Sequence, residues 1–161
     1  MTAPTFRIST VRTADEVAAV ARLFRAYADS LPVDLAYQDF ATELAGLPGK
    51  YEAPTGALLI ACNAAGDPLG CVALRPMQAS GRCEMKRLYV APAGRGLGLG
   101  RALVEAICAE ARRLGYGEIC LDTLPSMTEA IALYTRSGFV RIEPYYDTPV
   151  AGTLFLSRVL D

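Results

Sequence analysis

The chain has 161 residues, 52% of them hydrophobic and 20% charged, which supplies one domain with a sizeable core; its formal net charge of -1 and pI near 5.5 provide no global field for nucleic acid or an anionic membrane. There is no histidine, so Ser-His-Asp and Cys-His catalysis, and every metal site that needs an imidazole, are excluded. The five cysteines, Cys62, Cys71, Cys83, Cys108 and Cys120, are odd in number, form no C-x-x-C pair and lie in apolar stretches, as reduced core residues do.

In chain order, residues 5–12 alternate as an edge strand does, and Thr13-Ala14-Asp15-Glu16 has the spacing of a capping box. A helix is predicted to follow, with Val17, Val20, Ala21, Phe24, Tyr27, Ala28 and Leu31 as its core stripe and Pro32 as its stop. A shorter helix is expected at 39–44. Turn residues from Gly46 to Gly56 precede a hairpin, with strands at 57–62 and 69–75 around Asn63–Pro68. A strand at 83–90 leads into a long amphipathic helix carrying Leu99, Leu103, Ala106, Ile107 and Leu114, closed near Gly115 and Gly117. A strand at 118–123, a helix at 127–137 closed by Gly138, and strands at 139–142 and 153–159 complete the chain. This order predicts a single α/β domain over 1–161: a mixed, mostly antiparallel sheet of about six to seven strands with helices on both faces. The N-terminal MTAPTFRIST lacks an apolar signal core and no run approaches the ~18 apolar residues of a membrane span, so a cytoplasmic location is expected.

The informative segment is Arg95-Gly96-Leu97-Gly98-Leu99-Gly100-Arg101, between a strand and the first turn of the long helix. Unpaired amides at a helix start, together with glycines that admit a close approach, make an anion cradle; a plain glycine turn is the competing reading. G-x-G-x-x-G would need glycine where Arg101 stands, despite Asp122 downstream, and a Walker loop would need Gly-Lys-Ser/Thr where the chain has Gly100-Arg101-Ala102. What remains is Arg-x-x-Gly-x-Gly.

That motif after Cys83–Val90, with Ala130-Ile131-Ala132-Leu133-Tyr134-Thr135-Arg136-Ser137-Gly138-Phe139 downstream, resembles the GNAT superfamily of N-acetyltransferases. The likeness is strongest over 83–140, extends loosely over 57–160, and says little about the first 56 residues, which in such enzymes usually help shape the acceptor site. It implies the GNAT-like acyl-CoA N-acyltransferase fold, with 83–140 as the acetyl-CoA-binding and catalytic core. It further implies acetyl-CoA as co-substrate without a metal, its pyrophosphate on the amides of Arg95 to Arg101 and its pantetheine arm along Leu88, Tyr89 and Val90. The family's strand 83–90 bulges and splays from 118–123. One departure is Met127, where relatives often carry an asparagine.

An amine acceptor must shed a proton before attacking a thioester, and Glu84 stands where many relatives carry a catalytic glutamate. With an ordinary pKa of about 4.3 it needs burial or a relaying water, and an ion pair with Lys86 or Arg82 is the structural alternative. Tyr134, a phenol protonated near neutrality, occupies the family position that returns a proton to the CoA thiolate; a core-capping tyrosine is the bland alternative. The Val90 amide is a candidate oxyanion donor. An acyl-cysteine route through Cys83 or Cys120 is disfavoured, since no imidazole activates a thiol here. Arg101 and Arg136 are candidates for the 3′-phosphate, or solvated helix residues.

The expected reaction is direct acetyl transfer to a small-molecule or peptide amine, with no nucleic-acid or membrane partner. A non-catalytic acyl-CoA-binding sensor, and transfer of a larger acyl group or to a hydroxyl, are the rivals. Asp29, Asp34, Asp39 and Glu43 are candidates to draw in an amine, or a solvated surface; Tyr145 and Tyr146 either line the opposite wall or anchor a loop. Edge pairing or exchange through 153–159 would make a homodimer.

Overall fold

The computed structural model describes residues 5–161; the N-terminal run read above for a secretory signal begins in 1–4, outside them. Strand β1 (Arg7–Thr10) alternates half-buried and exposed positions, as an edge strand should, and leads to α1 (Ala14–Asp29). The capping box forms: Thr13 Oγ1 accepts from the Glu16 amide (3.1 Å), and Glu16 Oε1 accepts from the Thr13 amide (3.0 Å). Helix α1 buries Val20 and Phe24 as expected, together with Ala19 and Leu23. Two single-turn 3-10 helices that the hydrophobic pattern did not reveal, Leu35–Gln38 and Gly49–Tyr51, flank the short α2 (Phe40–Ala45).

Strands β2 (Ala57–Cys62) and β3 (Pro68–Pro76) form the expected hairpin, its turn held by Asn63 Oδ1 accepting from the amides of Ala65 (3.0 Å) and Asp67 (2.9 Å). Then follow β4 (Arg82–Val90), α3 (Leu99–Arg113), β5 (Glu118–Thr123), α4 (Thr128–Arg136), the two-residue β6 (Val140–Arg141) and β7 (Leu154–Val159). They complete one seven-stranded sheet of order β1-β2-β3-β4-β5-β7-β6, antiparallel except between β4 and β5.

Because side chains alternate across a strand, β2 sends Leu58 and Ile60 to one face and Ala57, Leu59 and Ala61 to the other. On the first face Val20 and Phe24 of α1 pack with Leu58, Ile60 and Tyr51; on the second, Leu99, Leu103, Val104 and Ile107 of α3 pack with Leu59, Val72 and Met85. Each such side chain contributes about 1.5–3 kcal/mol on burial. Strand β7 lies between β5 and β6. The short β6 pairs with Leu156 and Ser157 and so covers part of the outer edge of β7, the segment read above for pairing between copies.

Candidate active site

The site lies where β4 and β5 part. Their parallel ladder pairs Arg82 with Glu118, Cys83 with Ile119 and Glu84 with Cys120, and goes no further. Beyond it β4 carries an irregularity: Cys71 opposes Tyr89 and Ala73 opposes Lys86, so two residues of β4 face one of β3. Arg87, within this bulge, has φ +59°, a left-handed conformation that a non-glycine residue holds only at a cost of about 1–3 kcal/mol. The buried Arg87 guanidinium is fixed by Glu43 through two hydrogen bonds of 2.9 Å and by Gln38 Oε1 at 2.8 Å, and it lies over the Phe40 ring.

After the bulge, Leu88, Tyr89 and Val90 border a groove of about 950 Å³ that continues to Arg95, Gly96, Gly98, Leu99, Gly100 and Arg101, with α4 as its other wall. Gly96 and Gly98 have φ of +80° and +74°, and Gly98 caps α3 without a side chain. The first amide here to reach a helical carbonyl is that of Ala102, on Gly98 O (3.2 Å); the amides of Gly96 through Arg101 have no backbone acceptor among the described residues. Donors at the positive end of a fifteen-residue helix, with no side chain at Gly96, Gly98 or Gly100, suit a diphosphate. Arg101 and Arg136 line the same groove; Leu97, 40% exposed, is not part of its lining.

Tyr27, Leu88 and Met127 line both this groove and a narrow pocket of about 30 Å³, so the two adjoin. Tyr134 closes the pocket, and its hydroxyl has no hydrogen-bond partner among the described residues; burial pushes its pKa up, keeping it protonated. The remaining wall is mixed, with Leu31, Leu35, Met85, Leu121 and Leu124 beside a polar group built on Gln38, Lys86 and Asp122. Gln38 Oε1 accepts from Lys86 Nζ (3.1 Å), while Gln38 Nε2 donates to the Tyr37 hydroxyl (3.1 Å). Lys86 Nζ also meets Asp122 Oδ1 at 3.4 Å, and the Tyr146 hydroxyl donates to Asp122 Oδ2 at 2.5 Å. Burial drives the Lys86 pKa down against the pull of Asp122, whereas Lys86 and Tyr146 outweigh burial at Asp122 and keep its carboxyl below the usual range.

Glu84 is buried and borders neither the groove nor the pocket. Its ion-pair partner is neither Lys86 nor Arg82 but Arg75, its direct cross-strand neighbour, with Nε to Oε1 at 2.8 Å; the Tyr145 hydroxyl donates to Oε2 at 2.5 Å. Tyr145 and Tyr146 both meet Phe155 edge-on, which anchors their loop, and neither borders the groove or the pocket. The acidic group is dispersed: Asp34 caps the first 3-10 turn, Asp39 accepts from Thr42, and Glu43 holds Arg87. All five thiols are free; burial pushes Cys83 up to about 12 and Cys108 up to about 11. The polar residues that sequence reasoning missed are Gln38, Lys86 and Asp122. A polar residue two positions after Glu84 on the same strand face was the available signal for Lys86.

A family model described as the acetyltransferase (GNAT) family matches residues 17–139. An uncharacterized N-acetyltransferase of Schizosaccharomyces pombe is 40% identical over 149 residues, covering 92% of this chain and 91% of the relative. Among solved structures, a Klebsiella pneumoniae protein classed as an acyl-CoA N-acyltransferase superposes with TM-score 0.76 at 28% identity, over 99% of this chain and 100% of that one. A Salmonella typhimurium protein classed as an acetyltransferase and solved with its cofactor acetyl-CoA shares the fold with TM-score 0.69 at 21% identity, over 98% and 95% of the two chains. Among the described residues no helix is long and apolar enough to cross a membrane.

Proposed function

We propose, from the premise that this chain belongs to the acetyltransferase (GNAT) family, that it transfers an acetyl group from acetyl-CoA directly to a primary amine in a ternary complex, the whole chain acting as one domain with 83–140 as its core. The observation that carries this reading is an amide-lined groove adjoining, across Tyr27, Leu88 and Met127, a tight pocket at the parting of β4 and β5. Acetyl-CoA supplies the activated carbonyl. The amides from Gly96 to Arg101 hold its diphosphate, with Arg95, Arg101 and Arg136 as flanking cations, and Leu88, Tyr89 and Val90 align the pantetheine arm. The Val90 amide faces the developing oxyanion.

Tyr134 donates a proton to the departing thiolate: its hydroxyl is unpartnered, it lines the pocket and it stays protonated. Glu84 takes the acceptor's proton through a relaying water, since Arg75 and Tyr145 already occupy its oxygens and it lies behind the pocket wall. Direct transfer is favoured over an acyl-cysteine because burial raises the thiol pKa values at Cys71, Cys83, Cys108 and Cys120. Monitoring thiol release from several acyl-CoAs against a broad panel of amines tests the reading. Acceptor-dependent release with an N-acetylated product supports it. Tight acyl-CoA binding with no product across the panel would instead favour a sensor.

A further inference from the structure

The mechanism above leaves one amine in the acceptor pocket without a role. Of the sixteen basic residues in the chain only Lys50 and Lys86 are lysines. Lys50 is exposed; Lys86 has a side chain only 5% exposed and lines the pocket that Tyr134 and Leu88 border. Guanidinium cannot serve as a nucleophile near neutral pH, whereas an ammonium can give up its proton, so lysine is the one cation that gives this position a reactive form.

We propose that Lys86 is a self-acetylation site: in the absence of an acceptor, its amine takes the acetyl group from acetyl-CoA bound in the same chain. The inference rests on the acetyl transfer proposed above. Three observations carry it. Lys86 stands immediately before the bulge in β4 and lines the pocket that shares Tyr27, Leu88 and Met127 with the groove proposed to hold acetyl-CoA. Its two hydrogen-bond partners are Gln38 Oε1 and the more distant Asp122 Oδ1, which leaves one of three ammonium protons without a protein acceptor among the described residues. Asp122, held ionised by Lys86 and Tyr146, is placed to take a proton from it. Burial also favours the neutral amine.

In the step itself Lys86 Nζ attacks the thioester carbonyl, an N–C bond forms and the C–S bond breaks. The ammonium gives up two protons in all: one leaves through Asp122 to solvent, and one balances the proton that Tyr134 hands to the thiolate. The products are Nε-acetyl-lysine and free CoA, and no oxidant or further reactant is consumed. A tethered amine needs no diffusional encounter, so its effective concentration is high while the acceptor is absent. Acetylation removes the charge opposite Asp122 and fills the pocket, which closes the enzyme to acceptors; a bound acceptor protects it.

The test uses the full chain incubated with acetyl-CoA carrying an isotope-labelled acetyl group and no acceptor. Hydroxylamine then removes any thioester from Cys83, and cleavage after arginine releases Cys83–Arg87 for mass spectrometry. Label on Lys86 is expected to exceed that on exposed Lys50 by roughly ten-fold or more, to fall to the Lys50 level if the chain is unfolded in urea first, and to accumulate more slowly in Tyr134→Phe. Label on Lys86 no greater than on Lys50, or unchanged by prior unfolding, overturns the inference. An acceptor that turns over in a parallel assay, with Lys86 unlabelled when acceptor is withheld, overturns it and leaves acetyl transfer standing; a chain that does not bind acetyl-CoA removes both.

Discussion

Lys86 and Asp122 face each other across a gap that no ladder hydrogen bond closes, Nζ to Oδ1 at 3.4 Å, two residues beyond the last pair that joins β4 to β5. Their ion pair bridges the two strands where backbone bonds are missing, and the Tyr146 hydroxyl donates to the same carboxylate. Asp122 has a pKa below the usual carboxylate range, so its contribution to stability is fully present above the unfolded value of about 4 and is lost as pH falls through the lower folded value. Melting temperatures measured between pH 7 and pH 3 will fall on the acid side, and Asp122→Asn will flatten that part of the curve while lowering the plateau, because Lys86 loses its carboxylate. An unchanged acid slope in the variant would assign the loss to other groups.

Tyr134→Phe removes a hydroxyl that bonds to no other described residue, so the fold and acetyl-CoA affinity are expected to be unchanged. Turnover should fall by ~10²-fold or more if the phenol protonates the thiolate. Steady-state kinetics with a found acceptor, beside calorimetric acetyl-CoA binding, separates the two effects. Equal turnover would return Tyr134 to a packing role.

Glu84→Gln keeps the shape but gives Arg75 and Tyr145 a neutral partner. Arg75 is partly exposed, which tempers the loss to about 1–3 kcal/mol, readable as a lower urea midpoint. Activity should drop most at lower pH, where the acceptor amine cannot shed its proton unaided. A stability loss with an unaltered pH profile would leave Glu84 as a structural anchor of the Tyr145 loop.

Much of the scaffold was legible. The capping box at Thr13 located the start of α1, and β2 and β5 fall on the predicted bounds, because caps and strand punctuation are local signals. The glycine-rich start of α3 was legible for the same reason, as glycines and a helix start lie together in the chain. The pocket around Gln38, Lys86 and Asp122 was not. Gln38 is on a single 3-10 turn with no periodicity, and its partners Lys86, Arg87, Asp122 and Tyr146 come from three distant segments. The Arg75 to Glu84 pair needed the β3 to β4 register, which strand composition does not fix, so sequence neighbours of Glu84 were the natural but incorrect partners. The parting of β4 from β5 is a property of pairing and was accessible only through the family resemblance.

Gly70 faces Val90 across β3 and β4, and a Cβ there would stand 2.7 Å from the Tyr89 carbonyl oxygen. Both groups are backbone and cannot swing aside. Gly70→Ala should therefore destabilise the fold by about 1–3 kcal/mol and weaken acetyl-CoA binding by displacing Val90. A variant with native melting temperature and native affinity would show that this stretch of β4 does not need its present position.

Acetyl transfer as proposed depends on the amides at the start of α3 holding a diphosphate. The most direct measurement is isothermal titration of ligand-free protein with acetyl-CoA, repeated with Gly98→Ala, whose φ of +74° penalises any side chain without blocking the groove. Saturable binding that weakens roughly ten-fold in the variant is the predicted result. No heat of binding at millimolar acetyl-CoA, or equal affinity in both proteins, would contradict it.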